Sequence, residues 1–132
     1  MVDRGRKLPR PTVAELEILQ VLWEHGACTV REVHEELHRR DGTGYTTALK
    51  QLQIMFDKGL VLRDDSRRAH VYRASVTKER TQKKFLSDML QRVFDGSPSR
   101  LVLQALGDHK TSRAELHEIR ALLNRLDEEA EP

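Results

Sequence analysis

Tyr45-Thr46-Thr47-Ala48-Leu49-Lys50-Gln51-Leu52-Gln53-Ile54-Met55-Phe56-Asp57-Lys58-Gly59 is followed by Leu60-Val61-Leu62-Arg63, by the polar turn Asp64-Asp65-Ser66-Arg67-Arg68, and by Ala69-His70-Val71-Tyr72-Arg73-Ala74. The first segment carries apolar side chains at 45, 48, 49, 52, 55 and 56, a helical spacing that gathers them on one side, and Gly59 closes it. Thr46, Thr47, Lys50 and Gln53 are left facing elsewhere. Ile54 also leaves the stripe, to pack on a neighbouring helix or to meet a thymine methyl. The two short β-branched or aromatic runs around the polar turn read as a hairpin with Arg67 and Arg68 at its tip. Hydroxyls, amides and one cation on a helix face beside a basic ribbon match the chemistry of base edges and phosphates. The stretch predicts a winged helix-turn-helix that reads DNA, with Arg67 and Arg68 on the backbone or in the minor groove.

Upstream, Thr12-Val13-Ala14-Glu15 and Thr29-Val30-Arg31-Glu32 have the Thr-x-x-Glu form of a capping box, and downstream Ser112-Arg113-Ala114-Glu115 has the serine version. They predict a first helix over residues 13–24, with Leu16, Leu19, Leu22 and Trp23 inward and a stop at Gly26. A second covers residues 30–40, with Val33 and Leu37 inward and a stop near Gly42. Ala27-Cys28 is a candidate edge strand. After Ser75 the pattern is helical throughout. Phe85, Leu86, Met89, Leu90, Val93 and Phe94 form a broad stripe that ends at Asp95-Gly96. Ser97-Pro98 supplies an N-cap and first-turn proline for a short helix bearing Leu101, Val102, Ala105 and Leu106. The last helix carries Leu116, Ile119, Leu122, Leu123 and Leu126. The expected class is mainly α with a small antiparallel sheet: a winged-helix domain over residues 1–75, then an all-helical dimerisation arm over residues 76–132. Phe85, Leu86, Met89, Leu90, Val93, Leu116, Ile119 and Leu123 are the candidate dimer contacts, the alternative being that they extend a monomer's own core.

Of the 132 residues, 33% are charged and 38% apolar, a thin supply for a self-contained core, which leaves room for a partner subunit to complete it. Lys and Arg number 23 against 21 Asp and Glu, a slight basic excess, but the distribution is polar. Arg4, Arg6, Lys7 and Arg10 crowd the start, Arg63, Arg67, Arg68 and Arg73 the hairpin, and Asp127, Glu128, Glu129 and Glu131 the end, which separates a basic binding end from a solvated acidic one. Cys28 is alone, so neither an intramolecular disulfide nor a thiolate metal cluster can form within the chain. No apolar run reaches the length of a membrane span, and no h-region follows the basic start, so the expected setting is cytoplasmic without membrane insertion.

One motif competes. His34-Glu35-Glu36-Leu37-His38 matches H-E-x-x-H, a spacing that puts two imidazoles on one helix side with Glu35 as a general base beside zinc. The enzyme it would imply is a small zinc metalloprotease. Against it, no third ligand stands at H-x-x-G-x-x-H spacing, with Gly42 one residue late, and the rest of the chain reads as wing and arm rather than a substrate cleft. His25 and Cys28 are close in sequence but form only a pair. No phosphate-binding glycine loop, G-x-S-x-G or Cys/His nucleophile pair appears. The reading is therefore of a non-enzyme without catalytic residues, cofactor or metal. A winged-helix protein-interaction module is the other alternative, separable by a salt-dependent mobility shift with DNA.

Taken together, the segments from Thr12 through Trp23, Thr29-Val30-Arg31-Glu32-Val33, Tyr45-Thr46-Thr47-Ala48-Leu49, Lys58-Gly59-Leu60-Val61 and Arg68-Ala69-His70-Val71-Tyr72 resemble the BlaI/MecI/CopY family of bacterial repressors over about residues 10–125. The resemblance implies a homodimer that binds palindromic operators in double-stranded DNA upstream of β-lactamase or copper-handling genes, with residues 45–58 as recognition helix and 63–73 as wing. Copper-responsive members end in a cysteine cluster, which this chain lacks. The β-lactamase repressors are cleaved by a membrane sensor-protease at an Asn-Phe bond in the arm, part of an antibiotic response. The matching stretch, residues 101–106, carries Gln104-Ala105 at that bond.

Overall fold

Most helices of the described residues begin where a side-chain oxygen meets their first open N–H groups. The structure, a computed structural model, describes residues 10–130, so Arg4, Arg6, Lys7 and Glu131 lie outside the described residues. Among those described, the order is α1 (Val13–His25), β1 (Cys28–Thr29), α2 (Val30–Asp41), α3 (Tyr45–Lys58), β2 (Val61–Asp64), β3 (Val71–Ala74), α4 (Lys78–Val93), α5 (Pro98–Asp108) and α6 (Arg113–Glu129). Thr12 and Thr29 form complete capping boxes with Glu15 and Glu32. Ser112 accepts from the Glu115 N–H, the forward half of the third box. Gly42 and Gly59 end α2 and α3 at φ 79° and 83°, a left-handed turn that costs a residue with a Cβ.

The chain divides into two compact units, one ending at Phe85 and the other beginning at Leu86, a break inside α4. The first is the winged helix, and its three-stranded sheet has the order β1-β3-β2. β3 pairs antiparallel with both neighbours, Tyr72 facing Cys28 on one side and Arg63 on the other. The edge strand expected at Ala27-Cys28 is present one residue later, as β1. The core gathers Ile18, Leu19, Val21 and Leu22 from α1, Val33 and Leu37 from α2, Ala48, Leu52 and Met55 from α3, and Cys28, Leu60, Val61 and Tyr72 around the sheet. Removing these side chains from water is the main term that favours the fold. α1 is covered over a wider arc than the expected stripe, because Ile18 and Val21 are buried too, while Leu16 and Trp23 are only partly so.

Two polar ties fix the helices. Glu15, almost wholly buried, takes both the Thr12 N–H and the Lys58 ammonium on one oxygen, the latter at 2.6 Å. Its charge is thus compensated, as a buried carboxylate requires. The Trp23 indole donates to the Val76 carbonyl at 3.0 Å and holds the chain leaving β3 against α1. Thr81 on the first turns of α4 is buried and returns its hydroxyl to the Thr77 carbonyl at 2.7 Å.

In the second unit, Asp95 and Gly96 both adopt positive φ and stop α4, as the sequence leads one to expect, and the Gly96 N–H reaches back to the Leu90 carbonyl at 2.9 Å. Ser97 then caps α5 by accepting the Arg100 N–H. Among the described residues from Leu86 onward, none is buried.

Candidate nucleic-acid interface

The turn before α3 is built from local hydrogen bonds. Asp41 accepts the Thr43 N–H at 2.9 Å and the Thr43 hydroxyl as well, which holds the Asp41 carboxyl below the usual range. His38 Nδ1 lies 3.3 Å from the Thr43 carbonyl oxygen. The helix itself opens at Gly44 without a side-chain cap and without an acid in its first turn. Its leading N–H groups therefore lack the internal oxygen that α1 and α2 have, a setting favourable to an outside anion.

Ala48, Leu52 and Met55 point α3 into the core, and that orientation leaves Thr46, Thr47, Lys50 and Gln53 exposed. Ile54 is exposed as well and does not pack into the core. One sequence expectation is corrected here: Tyr45 belongs to the apolar stripe by spacing but is 48% exposed, because the stripe's first residue overhangs the helix start and sets its ring edge-on to His34.

Opposite α3 stands the wing. Ser66 N–H donates to Asp64 at 2.9 Å, an Asx-type turn that presents Arg67 and Arg68 to solvent. Between helix and wing runs a cleft of about 520 Å³, lined among others by Arg31, Tyr45, Gln53, Arg63, Arg68 and His70. Arg63 is its best-supported cation. The guanidinium carbon sits 4.1 Å above the Phe56 ring, and Asp65 lies 2.7 Å from Nε. The Tyr72 side chain, and secondarily Asp65, raise its pKa further, so it stays charged. In the sequence Arg63 stands only as one charge among several. Period-two alternation carries the missing signal: Val61 is buried, so Arg63, two residues on, shares the face turned toward α3.

The competing motif lies on α2. The His34 and His38 rings are 5.5 Å apart, while Glu35 is engaged by Arg31 at 3.2 Å. Among the described residues no group of three or more potential metal ligands occurs. Cys28 donates to the Gly26 carbonyl, and burial pushes its thiol pKa up. Glu36 is held down at about 2 by Arg39 and then Arg40, and Arg40 also spans to Glu24 of α1 at 3.0 Å.

In the second unit, Leu86, Val93 and Leu123 are exposed, and Met89, Leu90, Leu116 and Ile119 half-buried; Phe85, half-buried, closes the first unit. Gln104 and Ala105 lie exposed inside α5. Gln104 borders a cleft of about 620 Å³ with Val93, Phe94, Arg100 and Leu103.

The family model described as penicillinase repressor matches residues 11–125 of this chain. The chain belongs to the penicillinase repressor family. It is 25% identical to a penicillinase repressor of Bacillus licheniformis, over 89% of this chain and 92% of that one. A second penicillinase repressor, from Staphylococcus aureus, is 19% identical over 86% and 90% of the two chains. The solved DNA-binding domain of the repressor BlaI superposes with a TM-score of 0.50 at 27% identity, covering 55% of this chain and 89% of that domain. The winged-helix reading and the resemblance drawn from the sequence are thus borne out: this member of the penicillinase repressor family is a DNA-binding transcriptional repressor. No helix among the described residues is long and apolar enough to cross a membrane.

Proposed function

We propose that this repressor acts as a homodimer on a palindromic operator in double-stranded DNA, with α3 in the major groove and the wing on the flanking backbone. The observation that carries the reading is the polar face of α3, Thr46, Thr47, Lys50 and Gln53, exposed beside a wing that presents Arg67 and Arg68. The hydroxyl, amide and ammonium groups suit base edges, and the arginines suit phosphates. Two such heads on a two-fold axis read two half-sites, and the apolar side chains left exposed or half-buried at Phe85, Leu86, Met89, Leu90, Val93, Leu116, Ile119 and Leu123 are the means of joining them. An inducing signal would then act on the arm. If a membrane sensor-protease cuts at Gln104-Ala105, the bond lies within α5, so that helix must open before an extended strand can enter a protease.

The test is operator binding by single variants, read as mobility shifts at fixed salt. Lys50→Ala should cost about 1–3 kcal/mol on the operator and far less on mixed-sequence duplex. Thr47→Ala should move affinity in the same direction. Unchanged operator affinity in both variants would sink the recognition-helix assignment.

A further inference from the structure

A carboxylate, Asp65, stands against two residues that line the cleft between α3 and the wing. A single oxygen, Asp65 Oδ1, lies 2.7 Å from Arg63 Nε and 3.5 Å from His70 Nδ1. Arg63 and His70 both line the cleft, with Arg31 and Arg68 nearby on its wall. The two ends of the Arg63–Asp65 pair are held very differently. Arg63 is braced from behind by the Phe56 ring, itself packed on the core, and by Tyr72. Asp65 sits on the wing turn with its side chain about half exposed, so one bond rotation carries it into water. The pair is also incomplete. Arg63 Nε is shielded from solvent yet has no aligned hydrogen-bond acceptor, so Asp65 balances its charge without satisfying its N–H. A phosphodiester brings two free oxygens with tetrahedral spacing, which suits a guanidinium better than one displaced carboxylate oxygen does.

We propose that Arg63 is a backbone-phosphate contact of the DNA complex and that Asp65 occupies it, as an internal stand-in for that phosphate, while DNA is absent. The inference rests on α3 and the wing being the DNA face. On binding, Asp65 swings out to water, its place is taken by a phosphate oxygen, and a condensed counterion leaves the DNA. Asp65 thus lowers affinity for duplex DNA through Arg63, and not merely as a negative charge near the surface.

A double-mutant cycle in the full-length protein tests this, with fluorescent operator duplex and mixed-sequence duplex titrated over a range of salt. Asp65→Asn should tighten binding several-fold. Arg63→Gln should weaken it several-fold and flatten the slope of log affinity against log salt by about one unit. In the Arg63→Gln background the gain from Asp65→Asn should mostly vanish. An equal gain in both backgrounds would overturn the stand-in role, because a distant charge effect does not need Arg63. An unchanged salt slope in Arg63→Gln would overturn the phosphate contact. If Lys50→Ala and Thr47→Ala weaken binding while Arg63→Gln does not, only this inference fails; if none of them does, the DNA face itself was misassigned. Thermal unfolding by circular dichroism checks each variant, and Arg63→Met, which keeps a long chain over Phe56, replaces Arg63→Gln in the cycle should the latter not fold.

Discussion

The winged unit and the arm use similar numbers of leucines and isoleucines in opposite ways. In the winged unit they converge: Ile18, Leu19, Leu37, Leu52 and Leu60 are all closed to water. In the unit that begins at Leu86 they do not, and Val93, Leu103 and Leu123 stay 66%, 71% and 54% exposed. Helical periodicity is equally clear in both. What differs is whether neighbouring elements of the same chain close over the stripe. α6 spans 17 residues without a buried side chain, although most helical stability in proteins comes from packing an amphipathic face. The contrast teaches that amphipathic spacing locates a face but not its partner.

The comparison breaks most visibly by removing one side of it. A chain ending at Phe85 keeps the whole winged core and the Trp23–Val76 tie. It should fold, sediment as a monomer and lose roughly a hundredfold or more in operator affinity, since the second head no longer binds at high effective concentration. A truncated chain that still sediments as a dimer would move the interface into the winged unit. Next in size, Leu52→Ala should cost about 2–5 kcal/mol of stability by leaving a cavity, with a denaturation midpoint independent of protein concentration. The equivalent change at Leu123 should instead give a midpoint that rises with protein concentration. Matching behaviour at the two positions would erase the distinction between the units.

A smaller effect sharpens the division within the winged unit between base reading and backbone contact. Replacing Arg67 and Arg68 together with Ala should weaken operator and mixed-sequence duplex alike and flatten the salt slope by up to about two units. A loss confined to the operator would show that the wing tip reads sequence. The least effect is expected from Glu36, whose carboxyl falls from an ordinary 4.5 to about 2 through Arg39 and Arg40. Because the folded value is the lower one, its stabilisation is complete above about pH 4.5 and is lost as pH falls toward 2. Glu36→Gln should therefore lower stability slightly at neutral pH and converge on the parent at the acid end. A constant offset across that range would assign the loss to packing rather than to charge.

Much of this was legible in the chain itself, for identifiable reasons. α3 has its expected bounds, Tyr45 to Lys58, because a glycine stands outside each end. The first two helices start at their threonines because the capping glutamates stand three residues on. The first hairpin strand keeps its expected four residues but sits one place later, Val61–Asp64, with Asp64 of the turn paired to Val71, and the second is two residues shorter, Val71–Ala74. The outward residues Thr46, Thr47, Lys50 and Gln53 followed from the apolar residues between them. What spacing could not supply was three-dimensional neighbourhood. Tyr45 shares the apolar side by spacing, and nothing local shows that the stripe it begins overruns the core. Arg63 was undervalued because its role depends on Phe56, a residue on another element, seven positions away in the chain. The open stripe of the arm was expected from the thin apolar supply and not from periodicity, which is the same for a buried stripe and an open one.

Glu15 caps α1 and binds Lys58, the last residue of α3, with the same oxygen atom. One end of α3, the proposed reading helix, is therefore moored to the start of the fold, while its other end opens on an uncapped glycine. A helix moored in this way cannot slide along its axis to find a better partner when a base pair is wrong. The mismatch has to be borne by the contact itself, as a lost hydrogen bond or a steric clash, or by bending the DNA. With α3 as the proposed reader, discrimination between sites would reside in the stiffness of the protein as much as in the side chains that touch the bases, and a buried carboxylate remote from the exposed face would become part of how finely an operator is told from its neighbours.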